Sequence, residues 1–474
     1  MAPCALIAGK WQEGVSGELI SVVNPSTGFE IGQVAAVSAA QVDEAINAAA
    51  KAFPAWAATS PASKAKILQS WAALLLENKS ELAALMTLEQ GKPLFESVGE
   101  IEYSASYLNW YADEAKRVAG ETITSHLPNR RMTLDREPIG VVAAITPWNF
   151  PSAMMARKAA AALAAGCTVI GFPSASTPFS ALALARLAED AGLPSGVFSM
   201  LTGKSREIVP LLCADRRVRS VSFTGSTEVG RAIASMSAST VKRLCLELGG
   251  HAPFIVFDDT NLEDAVAGAI NAKFQTSGQD CLAANRIYLQ AGIHDAFLKR
   301  FVEDVAKLKT GDGFESGVTI GPLINAGAIK KVEEHCADAM SKGAKLELGG
   351  SRQTPGSNFY LPTILSGVTD DMLLIHEETF GPLAGVTKFT TEDEVVVRAN
   401  NTEYGLVAYV YSNSLSLTER VSRKLEFGMV GINTSKLTGA PIPFGGIKQS
   451  GMGREGHRYG LEEFTNLKYS CAAY

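Results

Sequence analysis

Apolar positions set the first expectations. Behind Ser38, a residue type favoured as an N-cap, Val42, Ile46 and Ala49 recur at helical spacing and predict a helix. Ile67, Leu68, Trp71, Leu74 and Leu75 mark a second helix, continued by Leu82, Leu85 and Met86 and stopped near Gly91-Lys92-Pro93. The rhythm then changes to short apolar strands alternating with helices. Strands are expected at Gly140–Ile145, Thr168–Ile170, Val197–Leu201 and Val218–Phe223, and helices at Ala153–Ala165 and Ser180–Ala191. After Gly250 the alternation resumes with strand Pro253–Phe257, helix Asn261–Phe274, strand Arg286–Gln290 and helix His294–Leu308. Further strands follow at Leu383–Phe389 and Val407–Tyr411. Apolar strands separated by helices of this length predict parallel sheets covered on both faces, an α/β chain with a dinucleotide-type lobe followed by a second α/β lobe.

A length of 474 residues exceeds what one hydrophobic core supports, so more than one lobe is expected. Hydrophobic residues at 46% and charged ones at 19% are ordinary for a globular enzyme, and the net charge of −6 gives no electrostatic reason to expect nucleic acid or an anionic membrane. The uncharged stretch Ala159–Ala185 could imitate a membrane span. Its Pro173, Pro178 and hydroxyl residues instead predict a buried helix, a strand and a second helix. The N-terminus shows no basic lead or long apolar run of a secretory signal. Seven cysteines without a Cys-x-x-Cys pair and six histidines without ligand spacing suggest neither a disulfide framework nor a metal site, and suit a reducing cytoplasm.

Two stretches carry candidate chemistry. Gly278-Gln279-Asp280-Cys281 places a thiol where a helix gives way to a loop, and Leu246-Glu247-Leu248-Gly249-Gly250 sinks a carboxylate among apolar neighbours. A thiolate nucleophile with a carboxylate that activates water suits acyl chemistry, although a single Cys is also a common core residue. Strand Val218–Phe223 runs into Thr224-Gly225-Ser226-Thr227-Glu228-Val229-Gly230, a glycine turn before a helix that could offer backbone N–H groups to a phosphate or could simply be a turn.

With Pro147-Trp148-Asn149-Phe150-Pro151, Glu377-Glu378-Thr379-Phe380-Gly381-Pro382 and Pro443-Phe444-Gly445-Gly446 added in order, the chain resembles the aldehyde dehydrogenase superfamily over essentially its whole length. Arg157-Lys158, Thr177-Pro178-Phe179-Ser180-Ala181 and Phe444–Gly451 resemble the succinate-semialdehyde dehydrogenases in particular. The resemblance implies two Rossmann-like doubly wound lobes and a small β oligomerisation arm. Residues 1–117 and 138–248 would form the dinucleotide-binding lobe, 249–443 the catalytic lobe, and 118–137 with 444–474 the arm and tail. It also implies a homodimer or homotetramer assembled through the arm and the alternating stretch Leu461–Tyr469.

The resemblance further implies a small-molecule aldehyde as substrate and NAD or NADP as cofactor. Cys281 would be the nucleophile, Asn149 the oxyanion donor and Glu247 the activator of water, with Lys158 near the cofactor ribose and Glu455 joining it in a proton relay. Trp148, Ser174, Gly225, Ser226, Glu378 and Phe380 would contact the cofactor, and Arg157, Gln275 and Phe150 the substrate. Plainer roles stand beside these: Asn149 as a turn cap, Glu378 as a surface acid, Glu455 as a rim charge.

Two departures from the family pattern bear on specificity. Phe172 replaces the lysine that meets the adenosine ribose, and Ala175 supplies no acid to repel a 2′-phosphate, so both NAD and NADP remain open. Gln275 replaces the second of two arginines that hold a substrate carboxylate, a charge-assisted bond worth roughly 1.5–3 kcal/mol. A bulkier aromatic or keto aldehyde is therefore a rival to a short semialdehyde, and a non-catalytic binding or structural relative is a rival of another class. Glu247 argues against release of the thioester to coenzyme A.

Overall fold

The computed structural model describes residues 4–474. Two large sheets dominate it. The first has eight strands, in the spatial order Gly451–Met452, Arg243–Glu247, Val218–Thr224, Val141–Ile145, Thr168–Phe172, Phe198–Met200, Cys4–Ile7 and Lys10–Glu13. The five strands from Arg243–Glu247 to Phe198–Met200 run parallel. The strand period of two explains their unbroken apolar character. Val142 and Ala144 face the core built on Trp71, Tyr107 and Leu163, while Val141, Ala143 and Ile145 face the core of Val42, Ile46 and Leu212.

Helices cover both faces. They are α1 (Ala39–Ala58), α2 (Pro61–Glu77), α3 (Lys79–Gln90), α4 (Leu94–Glu114), α5 (Ala153–Ala165), α6 (Pro178–Asp190), α7 (Ser205–Ala214) and α8 (Thr227–Ser237). Ser38 caps α1 in a reciprocal capping box with Gln41. The helix expected to run on to Met86 is two helices. Asn78 leaves helical geometry (φ −100°, ψ 20°) and its side-chain amide donates to the Leu74 carbonyl. An Asn side chain competes in this way with the backbone ladder. The uncharged Ala159–Ala185 stretch is the end of α5, the Thr168–Phe172 strand and the start of α6, and no helix among the described residues is long and apolar enough to cross a membrane.

The second sheet has seven strands, in the order Lys345–Leu348, Thr363–Ser366, Leu383–Phe389, Arg286–Gln290, Pro253–Val256, Val407–Tyr411 and Met429–Ile432. Phe254 and Val256 enter one core, Ile255 and Phe257 the other. α9 (Leu262–Phe274) packs on this sheet, its N-terminus capped by Asn261.

A third, three-stranded sheet pairs Thr465–Ala473 with Arg130–Pro138 and that strand with Glu121–Ile123. The C-terminal strand expected from Leu461 begins only at Thr465. Leu461 and Glu462 close a short helix, His457–Glu462, because the Leu461 side chain is drawn into the core of the first sheet. The parallel strands of the first sheet start at the inner strand Val141–Ile145 and fill first the side of Thr168–Phe172 and Phe198–Met200 and then that of Val218–Thr224 and Arg243–Glu247. The first sheet reverses between Val141–Ile145 and Val218–Thr224, the kind of place where α/β sheets bind ligands beyond their carboxyl ends.

Candidate active site

The Glu247–Gly250 segment links the carboxyl edge of the first sheet to the amino edge of the second, and Cys281 lies in the loop that enters strand Arg286–Gln290. The two edges touch. A Cβ on Gly250 would run into the Cys281 carbonyl oxygen, so only glycine allows this approach.

The Asn149 loop is held from α4. Lys92 is buried where Gly91, in left-handed conformation, ends α3. Its Nζ donates to the Asn149 carbonyl (2.7 Å) and to Glu100 Oε2 (2.6 Å), and it lies 4.1 Å over the Phe150 ring. The other Glu100 oxygen accepts from the backbone N–H of Ser152 (2.9 Å) and Ala153 (3.0 Å), the start of α5. The Asn149 amide nitrogen donates to the Gln279 carbonyl (2.9 Å), which fixes it two residues from Cys281. An amide nitrogen carries two N–H groups, so one remains for a ligand.

Between α9 and Cys281 the chain makes a left-handed turn. Thr276 (φ 49°), Ser277 (φ 57°) and Gly278 (φ 71°) all lie in the region that favours glycine. Each non-glycine residue there costs roughly 1–2 kcal/mol. The surroundings hold it in place. Thr276 N–H donates to Glu96 Oε1 (3.0 Å), Ser277 Oγ to the Gly321 carbonyl (2.9 Å), and Gln279 N–H back to the Thr276 carbonyl (3.0 Å).

Glu247 is buried with neither carboxylate oxygen hydrogen-bonded. Burial, and then the field of Glu455, push its pKa well above the carboxylate range. Burial opposes ionisation of Glu455 too, but Arg157 and Lys158 outweigh it and hold this carboxyl below its ordinary value. The Glu455 carboxylate pairs with Lys158 Nζ and lies 2.5 Å from Arg157 Nε; all three side chains are buried, so the rim-charge reading of Glu455 fails. Lys158 also donates to Ser222 Oγ (3.1 Å). The Cys281 thiol is pushed up by burial and then by the carboxylates of Asp280, Glu378 and Glu247.

A cavity of about 590 Å³ opens on Cys281. Phe150, Arg157 and Gln275 line it, together with Phe95, Glu96 and Tyr103 of α4, Phe274 of α9 and Lys436; Glu247 and Asn149 lie outside this wall. Arg157 faces the cavity already paired with Glu455 and stacked 4.4 Å from the Phe444 ring, and Gln275 is exposed. Among the lining residues that the sequence did not single out are the charged Lys92, Glu96 and Glu100. The only signal in the sequence is two acids one turn apart after Pro93, Glu96 and Glu100.

The remaining candidates border the carboxyl edge of the first sheet. Gly225 and Ser226 join strand Val218–Thr224 to α8, with Ser226 Oγ capping the helix by accepting from Val229 N–H (3.3 Å). Glu378 is half-buried and its Oε1 accepts from Gly250 N–H (3.0 Å), so it is no free surface acid; desolvation pushes its pKa up to about 7. Phe380 meets Trp148 edge-on, 5.6 Å between centroids. Ser174 Oγ accepts from Ser176 N–H (3.3 Å), which leaves its O–H free to donate. Phe172, where a cation was expected, is buried beside Ile145, Ile170 and Phe223.

These residues fit a dinucleotide. The Ser226 helix N-terminus can take a phosphate, Glu378 can take ribose hydroxyls, and the buried Thr146 and Thr224 hydroxyls have no hydrogen-bond partner among the described residues.

The sequence profile of the aldehyde dehydrogenase family matches residues 11–470. A glutarate-semialdehyde dehydrogenase of Pseudomonas aeruginosa is 52% identical over 98% of this chain and 97% of its own length. A succinate-semialdehyde dehydrogenase of Escherichia coli, whose name specifies NADP(+), is 50% identical over 98% of this chain and 97% of its own. Among solved structures, an aldehyde dehydrogenase from Brucella melitensis biovar abortus 2308 superposes with a TM-score of 0.99 at 52% identity, covering 100% of this chain and 98% of that one.

Proposed function

The chain belongs to the aldehyde dehydrogenase family, and from that premise we propose that it oxidises a semialdehyde to the carboxylic acid with NAD or NADP, through covalent intermediates on Cys281. Three separate features support this reading. Cys281 stands on the cavity wall, the Asn149 amide is tied to Gln279 beside it, and Glu247 is a buried carboxylate with no partner of its own.

In this reading the Cys281 thiolate adds to the aldehyde carbon, and the carbonyl π electrons move to oxygen. The free N–H of Asn149 donates to that oxyanion, with the Cys281 backbone N–H as second donor; a preorganised donor of this kind contributes about 3 kcal/mol. The dinucleotide, when bound, supplies the acceptor for the hydride of the adduct, which leaves a thioester on Cys281. Glu247, its basicity raised by burial, takes a proton from the water that attacks the thioester, and the C–S bond breaks to release the acid and restore Cys281. Glu378, Ser226, Gly225, Trp148 and Phe380 would hold the dinucleotide, with Ser174 and Lys158 toward its riboses. The salt-bridged Lys158 and Glu455 offer a buried path by which the proton can leave.

Short dicarboxylic semialdehydes are the first substrate class, supported by the names of the relatives and by Arg157. A bulkier aromatic or keto aldehyde is the second, favoured by Gln275 and by the aromatic wall of Phe95, Phe150 and Phe274. We also propose a homodimer or homotetramer built on the three-stranded arm, in a reducing cytoplasm that suits seven unbridged cysteines.

Absorbance at 340 nm tests the reading, using succinate semialdehyde, glutarate semialdehyde and benzaldehyde, each with NAD and with NADP. Turnover that vanishes in Cys281→Ala supports it. No turnover with any pair, or turnover that survives this substitution, overturns it.

A further inference from the structure

Two carboxylates of α4, Glu96 and Glu100, are one helical turn apart and so point to the same side of the helix. They grip opposite halves of the site. Glu100, with Lys92, holds the Asn149 loop and the first turn of α5. Glu96 holds the left-handed turn ahead of Cys281, through Thr276 N–H at 3.0 Å. The bond from the Asn149 amide to the Gln279 carbonyl joins the two halves directly, and Gln279 closes the left-handed turn.

Resting on the catalytic reading above, we propose that α4 is a two-pronged clamp, in which Glu96 is a positioning residue that sets the place of the Cys281 loop relative to the Asn149 amide. Glu96 is suited to this for three reasons. It comes from a helix anchored to the other half of the site. It accepts from a residue whose conformation is unfavourable without support. Its second oxygen, Oε2, is buried without a partner, so the acid is committed to this one contact. The remaining bonds of the turn come from Gly321, Pro322 and Ile324, a segment that packs against Gly91 and Lys92, so Glu96 is the contact that ties the turn to α4 itself.

Glu96→Ala and Glu96→Gln, with Thr276→Gly as partner substitution, test the clamp in the full-length enzyme. The amide oxygen of Gln can still accept from Thr276 N–H, so Glu96→Gln should keep kcat within about threefold. Glu96→Ala should lower kcat about tenfold or more, with KM moved less than threefold, because alignment rather than substrate contact is lost. Adding Thr276→Gly to Glu96→Ala should restore at least a third of the lost kcat, since glycine adopts the left-handed conformation without support. A Glu96→Ala kcat within twofold of the parent, an equal loss in Glu96→Gln, or no recovery in the double variant overturns the proposal. Should Glu96→Ala not fold, recovery of folded, active double variant supports the clamp and continued failure overturns it. A parent enzyme without aldehyde turnover would instead strike at the proposed function, because all three variants are scored against it.

Discussion

Gln275 stands exposed at the cavity mouth, where a second cation would face a substrate carboxylate, while Arg157 spends part of its charge on Glu455. Gln275→Arg should therefore lower KM for succinate semialdehyde and leave KM for benzaldehyde unchanged. Exposure screens the new pair, so the gain should be about three- to tenfold rather than the larger effect of a buried pair. Steady-state kinetics on the two substrates decides it, and equal changes for both would show that charge is not the selector. A second test follows from the raised Cys281 thiol. Glu247 is one of the carboxylates that raise it, after burial, Asp280 and Glu378. Alkylation of Cys281 by iodoacetamide should speed up as pH rises past neutrality, and in Glu247→Gln the inflection should move to lower pH. An unmoved inflection would mean that the Glu247 charge does not reach the thiol. The sequence made Cys281, Glu247, Asn149 and Glu378 legible because each sits in a short motif at a turn. Lys92, Glu96 and Glu100 stayed hidden because nothing local separates an inward acid on α4 from a solvated one. Only packing against the Asn149 loop and the Thr276 turn does.

At the scale of elements, α6 shows the same limit. The sequence places a helix there but begins it at Ser180, two residues late, because its cap is remote. The N–H groups of Phe179 and Ser180 donate to Glu89 of α3, at 2.8 Å each. Hydrophobic spacing reveals a helix, whereas a cap supplied across 90 positions has no local signature. Glu89→Ala should thus leave two buried donors unpaired and cost about 2–4 kcal/mol, read by denaturant unfolding. The charge also predicts a pH dependence. Burial raises Glu89 from 4.5 to about 7 in the folded chain. The folded state keeps its proton where the unfolded state has lost it, so this contribution is full below pH 4.5 and drains away as pH rises to about 7. Over that interval it amounts to on the order of 3 kcal/mol. Glu89→Gln cannot titrate, so it should start less stable than the parent at pH 5 and gain on it by pH 8. A constant gap in melting temperature would refute the shifted carboxyl.

Across the whole molecule, the carboxyl edge of the first sheet abuts the amino edge of the second, so the proposed cofactor groove and the proposed nucleophile come from different cores. Strand and helix rhythm foretold four strands of each sheet. It could not foretell the side of the third sheet that is left open. There the strand Thr465–Ala473 lies at an edge, nine residues long, with Leu467 and Tyr469 more than half exposed. A long, flat edge with apolar side chains calls for a partner, and the proposed homo-oligomer would supply one by pairing or covering it. Leu467→Lys with Tyr469→Lys should then shift sedimentation from a multiple of 50.2 kDa toward that single mass. The far-ultraviolet dichroism should be unchanged, because neither side chain enters a core. An assembly that keeps its mass after both substitutions would place the contact elsewhere, and a parent that sediments as a single chain would remove the oligomer from the reading altogether.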